Sequence, residues 1–234
     1  MMKKKHLALF ALSLMASSPA MAQDLNIQVT NLTNGIYFTP LLAAAHDTNT
    51  HLFVEGSSAS VNLQAMAEGG DISGLSSDAQ AVSGDVVENP ATGLLAPGAR
   101  TSFNMMTSNG NTQFTLTAML LPSNDGFVGI DSLDLPTATG TYTYYLNAYD
   151  AGTEVNNELI VTGSGSLGTL GIPAAPGGHA GTGGTGLTAV ESNTMIHIHR
   201  GNSGDSNVNG GLSDLDNTAH RWLNPVAKLI ITVN

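Results

Sequence analysis

TAMLLPSNDGFVGIDSLDLP, residues 117–136, and YTYYLNAYDAGTEVNNE, residues 142–158, set short apolar runs against turns that carry Asp125, Asp150 and Glu154. Runs rich in aliphatic and aromatic residues, broken by Asn-Asp-Gly and Asp-Ala-Gly, describe strands joined by tight turns, with acidic residues collected at strand ends. Such loops can gather ligands from distant parts of a chain. The hard oxygens of carboxylates, carbonyls and water suit Ca²⁺. Asp150 and Glu154 flank Ala-Gly-Thr, a spacing that points both carboxylates inward if Gly152 takes a positive φ. Were the Asp125 turn a neighbour, three negative charges would converge and a cation would relieve their repulsion. A plainer reading fits the same residues: both tripeptides are common turn formers whose carboxylates cap nearby N–H groups. Asp131, Asp134 and Glu158 stand close in sequence as supporting groups.

The rest of the chain repeats the strand pattern. Alternating or β-branched runs occur over Leu25–Leu32, Ser60–Met66, Thr101–Met106, Gln113–Leu121, Gly140–Ala148, Asn193–His199 and Val226–Val233, separated by Gly, Asn, Asp, Ser and Pro clusters. This predicts an all-β chain, an antiparallel β-sandwich rather than a βαβ fold. Helix formers mark Phe38–Ala45 and Leu63–Glu68, and Asp214–Leu223 opens with capping residues and stops at Asn224-Pro225. Residues 163–186 are dominated by Gly, Ala, Pro, Ser and Thr, which predicts an exposed, mobile Gly-rich insertion.

The first residues have the form of a secretory signal peptide: Lys3, Lys4 and Lys5, an apolar run from Leu7 to Met15, then Ala20-Met21-Ala22 as a cleavage site. The expected organisation is therefore a leader over 1–22 and one sandwich domain over 23–234, secreted or periplasmic, with no membrane span. The sequence has no cysteine, which excludes a disulfide framework. Its formal charge is −11, and loss of the three leader lysines makes it −14. Arg100, Arg200, Arg221 and Lys228 then remain as the strong cations, too few and too scattered to neutralise phosphates, so nucleic acid is excluded as a partner.

Three ordered motifs, Pro122-Ser123-Asn124-Asp125-Gly126-Phe127-Val128-Gly129, Tyr149-Asp150-Ala151-Gly152-Thr153-Glu154 and Arg221-Trp222-Leu223-Asn224-Pro225-Val226-Ala227, resemble the spondin N-terminal domain family, especially its bacterial members. The resemblance implies a C2-like β-sandwich without enzymatic activity that binds calcium through Asp125, Asp150 and Glu154. Glu154 stands where other members can carry Asp. It also implies adhesion to an extracellular protein or glycan.

Other constellations compete for a role. Asp205-Ser206-Asn207-Val208-Asn209-Gly210-Gly211-Leu212-Ser213-Asp214-Leu215-Asp216 matches the twelve-residue calcium-loop template at Asp205, Asn207, Asn209 and Gly210, with Asp216 in place of the final Glu. His197 and His199 alternate on one strand face, as a zinc or copper pair or as histidines satisfied by the fold. Neither a Gly-x-Ser-x-Gly elbow nor a His-Glu-x-x-His helix occurs. Asp125 and Asp150 acting as acid and base on a polysaccharide would make a hydrolase, and a structural subunit of a surface layer is a further alternative.

Overall fold

The computed structural model describes residues 22–177 and 181–234, so the expected leader falls outside the described residues apart from Ala22. The described elements run β1 (Asp24–Asn31), β2 (Tyr37–Phe38), β3 (Leu42–His46), α1 (Val61–Gly69), α2 (Ser73–Ala81), β4 (Asp85–Glu88), β5 (Arg100–Met106), β6 (Gln113–Leu121), β7 (Gly126–Asp134), β8 (Gly140–Asp150), β9 (His197–Ile198) and β10 (Ala227–Val233). Strand neighbours follow one path, β4-β3-β6-β7-β8-β10-β1-β5, with β2 on β6 and β9 on β8. The pairings are antiparallel, giving the expected all-β sandwich.

The corner of the sandwich is β8. Its first part, Gly140–Leu146, pairs with β10, and its last part, Asn147–Asp150, pairs with β7. One strand thus crosses between layers and ends at Asp150. Leu25, Ile27 and Val29 of β1 and Leu229, Ile231 and Val233 of β10 meet Phe114, Leu116, Ala118 and Leu120 of β6 in the main core. Each of these sets occupies alternate positions, as a strand with one inward face requires. Every residue of β6 is nevertheless buried. Its other face, with Met119 and Leu121, lies under a second cluster containing Leu63 and Met66 of α1 and Leu75 and Ala79 of α2.

Several expected elements differ. Phe38–Ala45 is not a helix: it holds the end of β2 and most of β3, which is hydrogen-bonded between β4 and β6. Its alanines serve two covered faces, Ala43 and Ala45 toward the main core, Leu42 and Ala44 toward the helices. Tertiary burial overrides their helix propensity. Conversely, Ser60–Met66 is helical rather than extended. The Ser60 hydroxyl accepts from the Leu63 N–H at 3.1 Å, and Gly70 ends α1 with φ 75° and its N–H on the Met66 carbonyl. Both are standard helix boundaries, and the helix expected over Leu63–Glu68 is therefore present as the body of α1.

The Asp214–Leu223 stretch forms turns instead of a helix, because its acidic side chains serve other backbone. Asp214 accepts N–H bonds from Ile160, Thr182, Gly183 and Gly184, and Asp216 accepts from the Thr218 N–H. Only His197–Ile198 of Asn193–His199 is strand, while β7 appears where Gly126, Gly129, Asp131 and Asp134 had obscured one.

Much of the described Gly-rich stretch is exposed, but it is fastened to the body at several points. Gly171 and Ile172 are buried, and three successive amides, Thr182–Gly184, converge on one Asp214 oxygen at 2.8–2.9 Å. Burial acts to raise the Asp214 pKa, yet the four N–H donors outweigh it and hold the carboxylate low. Asp214→Ala is therefore expected to speed proteolytic nicking within the Gly-rich segment, read by limited proteolysis and mass spectrometry; an unchanged cleavage rate would mean that Asp214 does not fasten it.

Candidate metal centre

The β6–β7 turn and the end of β8 meet edge to edge, since Gly126 is the register partner of Asp150. The first turn is shaped by Ser123, whose hydroxyl donates to the Leu120 carbonyl at 2.6 Å and accepts from the Gly126 N–H at 3.1 Å. The second is shaped by Gly152, with φ 72°, where a Cβ would lie 2.5 Å from the Thr194 carbonyl carbon. That is the positive φ expected from Asp-Ala-Gly-Thr-Glu.

Asp125 bridges the turns. Its Oδ2 accepts from the N–H groups of Thr153 at 2.7 Å and Glu154 at 3.1 Å, and its backbone carbonyl accepts from Ala151. Asp150 accepts from the Gly152 N–H through Oδ1 at 2.8 Å and from the Asn156 amide through Oδ2 at 2.7 Å. Glu154 Oε2 accepts from Asn124 at 3.1 Å and from the Gly171 N–H at 2.9 Å. The carboxylates do cap amides, as the plainer reading expects, but capping leaves two oxygens over. Asp125 Oδ1 and Glu154 Oε1 are buried with no hydrogen-bond partner.

Burial, joined by the charge of Asp150, pushes Asp125 up to about 8. Burial likewise raises Asp150, and it pushes Glu154 up to about 7, with the charge of Glu68 adding to it. Low dielectric and like charge both disfavour ionisation. The donor set fits a hard cation: oxygen only, with two oxygens unused and remaining acceptor capacity on Asp150. Among the described residues, no group of three or more His, Cys, Asp or Glu side chains is arranged so that it could hold a metal ion.

His197 and His199 both approach Asp150, with Nε2 atoms 3.8 and 4.0 Å from its Oδ2, beyond hydrogen-bond range. His197 Nδ1 donates to the Met195 carbonyl at 2.7 Å, while His199 Nδ1 accepts from the Gly201 N–H at 2.9 Å. Burial drives the His199 pKa down to about 3, so that ring is neutral, and it packs 4.9 Å from Trp222. Trp222 is itself in the main core. The ring is packed, but its Nε2, which carries the proton when Nδ1 accepts, is buried without a hydrogen-bond partner.

The remaining candidates lie elsewhere. Asp205 and Asp216 are bridge partners and, with Asn207, line a small pocket of about 140 Å³. Both Asp205 oxygens accept loop amides, from Asn207, Leu212 and Ser213, and Asn207 accepts from Asn209. No helix flanks the loop on either side. Asp131 accepts from the Leu52 N–H, Asp134 from Gln113, and Glu158 from the Ser203 and Gly204 N–H groups. None of the three shares a hydrogen bond with the Asp125 cluster except through backbone: the Glu158 N–H donates to Asn124.

Hydrolytic chemistry finds little footing. Asp125 is 0% and Asp150 2% exposed, so neither presents an oxygen to a polymer in solvent. Ser132, His51 and Asp131 do touch, but Ser132 Oγ and Asp131 Oδ2 meet the same ring nitrogen, Nδ1 of His51, at 2.9 and 2.6 Å. A proton relay needs the two nitrogens of the ring on opposite partners.

An antiparallel sandwich with buried carboxylates at one end of its strands defines the class, and the family follows from the sequence comparison. The spondin N-terminal model, Spondin_N, matches residues 30–159, more than half of the chain, and the protein belongs to that family. The match spans both helices and all three carboxylates, and ends before the Asp205 loop and Trp222. No curated protein matches the chain. Among the described residues no helix is long and apolar enough to cross a membrane.

Asn124, Asn156, Gly171 and Glu68 were not singled out by sequence; their amides and charge matter only through contacts that the fold creates. The raised pKa values fix a pH dependence. Between the ordinary carboxylate range, about 4, and about 8, the folded protein holds protons that the unfolded chain has released, so stability falls as pH rises through that window. In a chelator, the melting temperature is expected to drop from pH 5 to pH 8, with a shallower drop in Asp125→Asn. Identical slopes in the two proteins would rule out Asp125 as the source.

Proposed function

We propose that this spondin-like domain is a non-enzymatic calcium-binding module, secreted or periplasmic, that presents a surface to an extracellular protein or glycan. The observation that carries the reading is the pair of buried, unpartnered oxygens, Asp125 Oδ1 and Glu154 Oε1. Asp125, Asp150 and Glu154 would hold the ion, whose positive charge offsets their burial and mutual repulsion.

The residues around them act without the ion as well. Thr153 and Glu154 amides hold Asp125, Asn156 holds Asp150, and Asn124 with Gly171 holds Glu154. Each fixes one oxygen and leaves the carboxylate oriented. Because the partners come from the β6–β7 turn, the segment after β8 and the Gly-rich segment, an ion would lock three stretches of chain together. Loops ordered beforehand lose less entropy when a partner docks. Acidic composition suits an extracellular role and disfavours polyanionic partners.

Calorimetric titration of the chelator-stripped protein tests the reading. One Ca²⁺ is expected to bind to wild type, with affinity weaker by about tenfold or more in Asp150→Asn and stoichiometry unchanged in Asp205→Ala. At calcium 100-fold above Kd the wild-type fold gains about 2.7 kcal/mol, visible as a higher melting temperature. Absence of both heat and thermal shift would leave the turns as turns.

A further inference from the structure

Arg100, Lys228 and Arg221 are three of the four strong cations beyond the expected leader, and they lie far apart in the sequence. Strand register brings them together. Leu25, Ile27 and Val29 of β1 point into the core, so Asn26, Gln28 and Thr30 face outward. Thr30 is the partner of Arg100 on β5 and of Lys228 on β10, and Lys228 is in turn the partner of Tyr145 on β8, which is 61% exposed. Directly paired residues share a face, so these four side chains form one row across the outer side of the sheet. Arg100 and Lys228 are then two strand spacings apart, roughly 10 Å.

Arg221 stands at the end of that row. Leu32, two residues beyond Thr30, continues the ladder by donating its N–H to the Val226 carbonyl at 2.8 Å. With Arg221, Trp222, Leu223 and Pro225 it lines an open hollow of about 410 Å³. Leu223 is 85% exposed and Arg221 is exposed beside it. A single exposed leucine is ordinary, but Leu32 and Leu223 on one hollow make an apolar patch. The surroundings are kept clear of acid. The next two rows along the outer face carry only Asn, Gln, Ser, Thr and Ile, and Asp24, at the far end of β1, is the first carboxylate met. Among the described residues the ion pairs all use histidine, so none of the three cations has an acidic partner. In a chain of formal charge −11 this is a segregated basic and apolar patch.

We propose that this patch docks an acidic peptide segment of a partner protein, with an apolar side chain filling the hollow over Trp222 and neighbouring carboxylates meeting Arg221, Lys228 and Arg100. Both halves of the patch argue for that occupant. Leu32 and Leu223 offer contact that a hydroxyl-covered sugar does not use, and the guanidinium of Arg221 presents a fork of donors matched to a carboxylate. A long polyanion would run off the patch onto a strongly acidic body. A short segment stays within about 10 Å of the three cations, and charges farther off are screened at ordinary salt. The inference rests on the reading of the domain as one that presents a surface to an extracellular partner, names that partner's chemistry, and requires no bound ion.

Trp222 is the single tryptophan of the chain, so its emission reports on the hollow it lines. The protein is titrated with a capped peptide alternating Glu and Leu, in calcium and in chelator, with Gln-for-Glu and Ala-for-Leu peptides as controls. A saturable change in emission is expected in both buffers, weakened about tenfold or more by Arg221→Gln, by Leu223→Ser and by either control peptide. Both substituted positions are exposed, and the variants are expected to melt with wild type. No saturable change with the Glu-Leu peptide in either buffer overturns the inference, and calcium titration of the same samples shows whether the ion reading stands without it. Equal affinity for the Gln-containing peptide, or unchanged affinity in both variants, also overturns it. Saturation by a sulfated oligosaccharide or by anionic vesicles, with none by the peptide, assigns the patch to another class of partner and overturns peptide docking.

Discussion

Burying negative charge without a counter-charge is the constraint around which this end of the molecule is built. Asp125, Asp150, Glu154 and Glu68 are all withdrawn from water, and a carboxylate in low dielectric is tolerated only when hydrogen bonds, a proton or a cation stabilise it. Amides supply part of that stabilisation. They come from Thr153, Glu154, Gly152 and Gly171, and from the side chains of Asn124, Asn156 and Gln64. These donors are neutral and account for one oxygen each on Asp125, Glu154 and Glu68.

The sandwich makes this concentration of acids possible. Because β8 leaves β10 and joins β7 part-way along, its final residue is delivered to the β6–β7 turn rather than to the opposite sheet. The apolar face of β6 lies under α1 and α2, and Met66 and Ala67 of α1 share a buried cluster with Ala151, the residue after Asp150. Packing that is purely hydrophobic therefore sets which charges must coexist, and the Gly-rich segment, able to approach backbone to backbone, closes over them. The same device recurs at Asp214, where three consecutive amides of that segment converge on one oxygen.

Much of this was legible in the sequence because it depended on short-range pattern. The alternation in Leu25–Leu32, Gln113–Leu121 and Val226–Val233 identified strands that the fold contains nearly residue for residue, and Gly152 was marked by the need for a positive φ. What sequence hid was set by tertiary context. Alanines at 43–45 read as helix because nothing local announces that both their faces are covered. Ser60 and Gly70 bound α1 through capping geometry that competes with the β-branched and alternating look of the residues between them. Glu68 carried no motif at all, and its complete burial is a product of the tertiary fold. Asp214 and Asp216 looked like helix caps, and as carboxylates they do accept backbone N–H groups, but those of other segments as well as their own.

We propose that a cation completes the cluster where protein donors leave off. A crystal structure grown in calcium, with data collected for the anomalous signal of the ion, tests it most directly. A single strong anomalous peak is expected about 2.3–2.6 Å from both Asp125 Oδ1 and Glu154 Oε1. A map at saturating calcium with no ion there, and with those two oxygens still buried and without partners, would contradict it.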